Sequence, residues 1–422
     1  MSNTTDRSWR FSNFGERFKA GASIVELMQD LGDALNQNPD LIFMGGGNPA
    51  HIPEVEQAFA NELHQLSQDQ NWLRSCLGVY QSPQGDEQFR QHLAQLLSTQ
   101  LKQTITPEHI GISNGSQSAF FLLFNMLAGQ AKAQSRHILL PLVPEYIGYG
   151  DVGLNEHLFH AVRPHIKLID KHRFKYQVDF AALDINDQTA ALCLSRPTNP
   201  TGNVITDTEL SQLSDIAASR NVPLILDGAY GLPFPDLCFV DAAMQWTNNT
   251  ILVLSLSKLG LPGTRTGIVV AAPSMIKAMT HANTLVSLAN GNLGPHLCRN
   301  MLADGRLMAL CKNAIKPFYR LRLSQLLKLL DTALAGLPYR IHEPEGAIFV
   351  WIWFEDLPIS SRELYEKLKQ QGLLVLAGEY FFPGLQENWQ HTHECLRLSY
   401  AQPLDRLEAG VTLLAKVVKQ LY

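Results

Sequence analysis

Lys258 closes the run Ser255-Leu256-Ser257-Lys258, which follows the apolar stretch from Thr250 to Leu254 and precedes the turn-rich Gly260-Leu261-Pro262-Gly263-Thr264-Arg265. A primary amine leaving the end of a buried strand can act as a nucleophile or base if desolvation or a nearby cation lowers its pKa from about 10.4. Arg265 is a candidate for that cation. The run alone is equally compatible with a lysine at a solvated loop end. A second charged group, Asp227, ends the apolar Val222-Pro223-Leu224-Ile225-Leu226. A carboxylate there needs a cation or several donors, and a helix cap or a metal ligand would also satisfy it. Gly115-Ser116-Gln117 lies between a strand-like and a helix-like segment, where free N–H groups and the helix dipole favour a phosphate. An ordinary N-cap by Asn114 or Ser116 is the plainer alternative.

These residues gain weight from the elements that must position them. His109 to Ser113, Arg136 to Leu142, Thr189 to Ser195, Val222 to Leu226 and Thr250 to Leu254 read as five short strands rich in Ile, Leu and Val. Helix-like stretches, Ser118 to Leu127 and Glu209 to Ser219, alternate with them. Strands apolar on both faces belong in a mostly parallel sheet covered by helices, an α/β fold. Such sheets bind ligands beyond the carboxyl ends of their strands. All five strands end there in polar, Gly or Pro residues, so one shared site is expected. Val143-Pro144-Glu145-Tyr146 and Arg196-Pro197-Thr198-Asn199-Pro200-Thr201-Gly202 would deliver Tyr146 and Asn199 to it.

The remaining composition narrows the function. The chain has 422 residues with 34 Lys and Arg against 39 Asp and Glu, a net charge of −5 and no basic cluster, which argues against a nucleic-acid partner. No apolar run is long enough to span a bilayer, and Met1 to Arg10 lacks the apolar core of a signal peptide. The six cysteines are scattered and read as reduced core residues, so a cytoplasmic location is expected. His157, His160 and His165, like His391 and His393, follow none of the strand ends and have no matching ligand set, so no metal site is expected.

A phosphate cradle, a strand-end carboxylate, an aromatic on a neighbouring strand end and an activatable lysine are the parts needed for pyridoxal phosphate. The set Asn199-Pro200-Thr201-Gly202, Asp227 with Tyr230, and Ser255-x-Ser257-Lys258 with Arg265 resembles the class I/II aminotransferases of the type I pyridoxal phosphate fold. The likeness runs from about Met44 to about Tyr400. It implies a large domain with a mostly parallel, seven-stranded-type sheet and a smaller α/β domain. It also implies that Lys258 holds the cofactor through its amine and, once freed, moves the proton at the substrate α-carbon. Asp227 would pair with the ring nitrogen, Asn199 and Tyr230 would hydrogen-bond the phenolic oxygen, and Tyr146 would stack on the ring. Gly115, Ser116, Gln117, Ser255, Ser257 and Arg265 would bind the phosphate. Tyr80, in Gly78-Val79-Tyr80-Gln81-Ser82-Pro83-Gln84-Gly85, would reach the phosphate of the neighbouring subunit of a homodimer. Arg397 would hold the substrate carboxylate as a bidentate pair, with Gly46 and Gly47 letting backbone approach the same substrate. Gly228 departs from the family pattern, in which a larger residue often follows the aspartate.

Three segments are expected from this likeness: residues 1–49 as an arm and part of the small domain, 50–295 as the cofactor domain, and 296–422 as the rest of the small domain. Asn300 to Leu337 reads as an interdomain helix pair. The motifs Met44-Gly45-Gly46-Gly47-Asn48-Pro49 and Ala229-Tyr230-Gly231-Leu232-Pro233-Phe234-Pro235 point, within the family, to transfer between a small apolar amino acid (valine, alanine or 2-aminobutyrate) and a 2-oxo acid, valine with pyruvate foremost. No second cation for an acidic side chain is identifiable, which agrees with an apolar side-chain pocket. A broader alanine-type aminotransferase and a pyridoxal phosphate-dependent carbon-sulfur lyase would use the same residues. A transcription regulator on this fold would need a DNA-binding segment before the aminotransferase region, and the stretch of about 45 residues there is too short and not basic.

Overall fold

A computed structural model describes residues 10–422 apart from 13, 17–28, 31, 35–37, 39, 132, 133 and 156. Most of the arm expected before residue 49 therefore lies outside the described residues. The main sheet is built from β2 (Ile110–Ser113), β3 (Gly129–Gln130), β4 (Ser135–Leu140), β5 (Phe159–Ala161), β8 (Thr189–Ser195), β9 (Leu224–Asp227), β10 (Thr250–Ser255) and β11 (Gly267–Val270). Seven of these run in the order β2-β11-β10-β9-β8-β4-β3, and β5 pairs with β4 as an eighth. The strands β10, β9, β8, β4 and β5 are mutually parallel. Every residue of β8, β9 and β10 is buried, as expected for strands covered on both faces. β11 was not anticipated from sequence. It runs antiparallel between β10 and β2 and so separates the lysine strand from the phosphate-cradle strand.

A second sheet, ordered β15-β16-β13-β12-β7-β6, contains β6 (His165–Leu168), β7 (Arg173–Gln177), β12 (Tyr339–His342), β13 (Phe349–Phe354), β15 (Leu376–Ala377) and β16 (Cys395–Ser399). The β6–β7 hairpin leaves the middle of the chain to pair, through β7, in parallel with β12. It falls inside the 50–295 segment in sequence yet sits in the sheet formed by the carboxy-terminal strands. β1 (Ile42–Phe43) pairs in parallel with β14 (Leu373–Leu374), tying residues near the start of the described chain to the same region.

The helix pair expected from Asn300 to Leu337 is displaced. Leu293–Ala303 forms one helix, Asp304 and Gly305 break it, and residues 306–333 continue as a single helical rod through a π-helical turn at Cys311–Ile315. Gly305 has φ +81°, the left-handed backbone that a reversal of this kind requires. The rod packs on the helix Leu404–Val418.

Candidate active site

The carboxyl ends of β2, β4, β8, β9 and β10 converge on a cavity of about 320 Å³, closed on its far side by residues of the second sheet and of β1. Of the residues singled out from sequence, Gly46, Gly47, Ser116, Gln117, Tyr146, Asn199, Asp227, Tyr230, Ser255, Ser257, Lys258, Arg265 and Arg397 line it. Gly115 lies just behind. Tyr80 does not line this cavity and is 79% exposed.

β9 ends at Asp227, which is paired in register with Val253 of β10 and Ser195 of β8. Its carboxylate is buried and accepts the Ala229 N–H at Oδ1 (2.9 Å) and the Tyr149 hydroxyl at Oδ2 (2.8 Å). Burial raises its pKa, while those donors and Lys258 oppose the rise. The Tyr149 donor was missed in sequence. It sits one helical turn beyond Tyr146, in the 3-10 turn Ile147–Tyr149, wedged among Phe120, Phe124 and Phe159. Gly228 sits in close packing: a Cβ there would lie 2.9 Å from Leu254 Cδ2 and 3.1 Å from Leu252 Cδ1, so a larger residue would have to push those leucine ends aside.

Lys258 is carried by the 3-10 turn Ser257–Leu259, which Gly260 closes at φ +99°. Its ammonium donates to the Gly47 carbonyl and stands 5.2 Å from the centre of the Tyr230 ring. Its pKa is lowered to about 8, first by burial of the amine and then by the positive charge of Arg397, with Asp227 opposing and Arg265 a lesser contributor. The cationic neighbour expected from sequence, Arg265, is thus secondary to one 139 positions further along the chain.

The phosphate cradle is built by close approach. The helix Ser116–Leu127 starts at Gly115, which has φ +90° and offers no side-chain cap, so the first-turn N–H groups have no such acceptor. A Cβ on Gly115 would stand 2.2 Å from Arg265 Nη2, and one on Gly267 would stand 2.5 Å from the Ser116 nitrogen. Only glycines let the guanidinium and the β11 backbone come so near. Ser255 Oγ accepts the Ser257 N–H. The Gln117 side chain departs from expectation in part: its amide donates to the Gly148 carbonyl (2.9 Å), and its buried Oε1 has no partner.

On the opposite wall Arg397, in the middle of β16, is 3% exposed. Nη1 donates to Asn199 Oδ1 (2.7 Å) and Nη2 to the Gly45 carbonyl (2.6 Å), while the buried Nε has no acceptor among the described residues. The guanidinium lies 4.1 Å from the centre of the Phe349 ring. Burial lowers its pKa to about 10, with Tyr230 and Tyr146 opposing. Both its hydrogen bonds go to neutral acceptors, which leaves its charge available to an anion.

Glu145 is a further residue that sequence reasoning passed over, although the Pro-Glu-Tyr run containing it was in view. It is fully buried, accepts the Ser195 N–H (2.7 Å) and hydroxyl (2.5 Å), and has its pKa raised to about 8, mainly by burial. Phe43, Ile147, Ser195 and Leu376 also line the cavity unannounced.

The sequence profile of the family described as aminotransferase class I and II matches residues 52–411, and the chain belongs to that family. It is an enzyme, an aminotransferase, and its cofactor is pyridoxal 5′-phosphate. Among relatives, it is 45% identical to the valine–pyruvate aminotransferase of Escherichia coli (strain K12) across 98% of this chain and 99% of that protein. The crystal structure of valine-pyruvate aminotransferase from Salmonella typhimurium superposes with a TM-score of 0.87 at 44% identity, covering 93% of this chain and 99% of the other. A Thermus thermophilus aspartate aminotransferase mutant, at 21% identity and TM-score 0.75 over 97% of this chain and 100% of that one, shares the fold.

The residues present fit the cofactor. The Gly115–Gly267 cradle beside Arg265 suits a dianion, the buried Asp227 suits a cationic ring nitrogen, and a lysine of lowered pKa lines the same cavity.

Proposed function

We propose that this chain transfers the amino group of a small apolar amino acid, valine foremost, to pyruvate, giving 3-methyl-2-oxobutanoate and alanine. The observation that carries the reading is the meeting, in one cavity, of an amine of pKa about 8, a buried strand-end carboxylate and a buried arginine with no anionic partner. The near-half identity to the Escherichia coli valine–pyruvate aminotransferase supports the choice of substrates.

When bound, pyridoxal phosphate supplies the electron sink that stabilises charge at the substrate α-carbon. Ser116, Gln117, Ser255, Ser257 and Arg265, with the Gly115 backbone, would hold its phosphate. Asp227, kept in place by Tyr149 and the Ala229 N–H, would hold its ring nitrogen as a cation. Asn199 and Tyr230 would meet its phenolic oxygen, and Tyr146 would cover the ring face. Lys258 would hold it covalently through Nζ. Freed by the incoming substrate, Lys258 Nζ would take the proton from the α-carbon and pass it to the cofactor within the first half of the reaction, and carry a proton the opposite way in the second. A pKa near the working pH suits both directions. Arg397 orients the substrate by a two-pronged contact to its carboxylate, and Gly46 and Gly47 leave room for that approach.

The working unit in this reading is a homodimer. Tyr80 stands out from the surface beside other exposed apolar side chains, Leu285 (90%), Val286 (68%) and Leu288 (60%). The Tyr80 segment is tied to the phosphate loop: Asn292 Nδ2 donates to the Val79 carbonyl, and the Gly291 N–H donates to Asn114 Oδ1. Covering this surface with a second copy would bring Tyr80 to the partner's phosphate site. Among the described residues no helix is long and apolar enough to cross a membrane, and the six buried, free cysteines agree with a reducing, cytoplasmic setting.

The test is incubation of the loaded enzyme with valine and pyruvate. Alanine and 3-methyl-2-oxobutanoate should form in equal amounts. Absence of alanine there, together with release of a thiol, pyruvate and ammonia from an added S-substituted cysteine, would favour the carbon-sulfur lyase instead.

A further inference from the structure

Among the described residues the cavity is lined by four charged side chains, Asp227, Lys258, Arg265 and Arg397, and the reading above gives each of them a partner in the cofactor or in the substrate carboxylate. Beside Arg397 the second-sheet side of the cavity adds two apolar side chains, Leu376 and Phe43. Leu376 faces Arg397 directly in the antiparallel β15–β16 pair, so the two side chains leave the sheet on the same side. Phe43 is fixed by the glycine run that follows it. A Cβ on Gly46 would fall 2.7 Å from the edge of the Phe43 ring, so the ring lies flush against that backbone. The flanking glycines hold the two reacting anchors, since the Gly45 carbonyl accepts from Arg397 and the Gly47 carbonyl accepts from Lys258. One short stretch of backbone thereby sets the carboxylate anchor, the proton-moving amine and an aromatic wall relative to one another.

We propose that Phe43 and Leu376 are the specificity-determining residues of this enzyme, forming the wall that meets the substrate side chain and limits it to small, uncharged groups. The inference rests on the aminotransferase reading above. An amino acid with its carboxylate on Arg397 and its α-hydrogen toward Lys258 has one direction left for its side chain, toward the ring and the leucine. A branched three-carbon group gains apolar contact there. A longer chain meets the Phe43 ring, and a side-chain carboxylate finds no free cation among the described residues, so it would be buried unpaired.

The experiment uses full-length enzyme loaded with pyridoxal phosphate. Single-turnover decay of the bound chromophore is followed with alanine, valine, leucine, phenylalanine and aspartate, and each rate is divided by that for alanine. Phe43→Ala and Leu376→Ala should each raise the leucine-to-valine and phenylalanine-to-valine ratios by about tenfold or more, because a pocket distinguishes one methylene by roughly 10- to 200-fold. Phe43→Leu, which keeps an apolar side chain against Gly46, should give a smaller shift in the same direction and covers the case in which the alanine variant does not fold. Ratios that stay within twofold of wild type in Phe43→Leu and Leu376→Ala, both still coloured, would overturn the inference while leaving the proposed function standing. Wild-type enzyme that turns over aspartate as fast as valine would overturn it as well. Wild-type enzyme inert to both alanine and valine would overturn the function and the inference together.

Discussion

The two walls of the cavity solve different problems. On the first-sheet wall each charged group has a fixed internal partner: Asp227 has Tyr149 and the Ala229 N–H, and Lys258 has the Gly47 carbonyl. On the second-sheet wall, Arg397 is held by two neutral oxygens, its Nε is left over, and its surroundings are aromatic and aliphatic. The first arrangement suits a molecule that stays, because Asp227 is held in place by neutral donors with its charge left for a fixed cation and the Lys258 amine can bond covalently. The second suits one that must arrive and depart twice in each cycle, since an anchor already satisfied by an internal carboxylate would bind nothing and one with tight apolar fit would release nothing. Residence and exchange are thus written into the hydrogen-bond inventory of each wall.

Substitutions should therefore separate by wall. The largest effect is expected from Lys258→Ala, which removes the amine placed to move the α-proton; turnover should fall by about 10³-fold or more, and the visible absorbance of lysine-bound cofactor should vanish while circular dichroism shows a folded chain. An imine absorbance band that persists in this variant would refute the role of Lys258. Next, Arg397→Lys keeps a charge but loses the fork, so KM for valine should rise about 10²-fold with cofactor affinity unaltered; titration of the apoenzyme with cofactor measures the second quantity, and a parallel loss of both would blur the division between the walls. Tyr149→Phe removes a hydrogen bond to a buried carboxylate, a contribution of about 1.5–3 kcal/mol, so the rate of the first half-reaction should drop about tenfold with KM little changed.

Two pH effects refine the comparison further. In cofactor-free protein, Lys258 should react with a small acylating reagent increasingly as pH rises through about 8, where the neutral amine appears. In Arg397→Gln, the loss of a nearby positive charge should move that profile to higher pH, which peptide mapping of the labelled lysine would reveal. Glu145 gives the smallest signal. Its proton is held up to about pH 8 in the fold but is lost near the usual carboxylate value when unfolded, so wild-type stability should decline as pH rises between those limits. Glu145→Gln cannot lose that proton, and its melting temperature relative to wild type should climb from pH 5 to pH 8.

The first-sheet wall was largely legible from sequence, because short apolar strands announce themselves and the residues that matter sit at their ends. Asn199, Asp227, Ser257 and Lys258 were found that way. β11 was not, since Gly-Ile-Val-Val carries no mark of its direction, and strand order within a sheet is decided by packing of segments remote in sequence. Tyr149 was hidden for a related reason: its partner Asp227 lies 78 positions away, and a tyrosine in a loop shows no sign of which carboxylate it will meet. Glu145 carried no sign of its role, because its partner Ser195 lies 50 positions away at the end of another strand. The second-sheet wall was the least readable. Arg397 could be picked out by its alternating strand pattern and the family likeness, but Phe43 and Leu376 are plain apolar residues, placed by packing of the Phe43 ring against Gly46 and by register of Leu376 with Arg397.

The hydrogen bond from Arg397 to the Gly45 carbonyl spans 352 positions, and β1 with β14 closes a loop of similar length. The strands of the ring-holding wall are all in sequence by residue 270, whereas the opposite wall needs β16, near the carboxyl end. Loops of this size close slowly and late. A nascent or prematurely terminated chain could therefore acquire its coloured prosthetic group long before it could recognise an amino acid, which makes catalytic competence a report on the last stretch of polypeptide to be made.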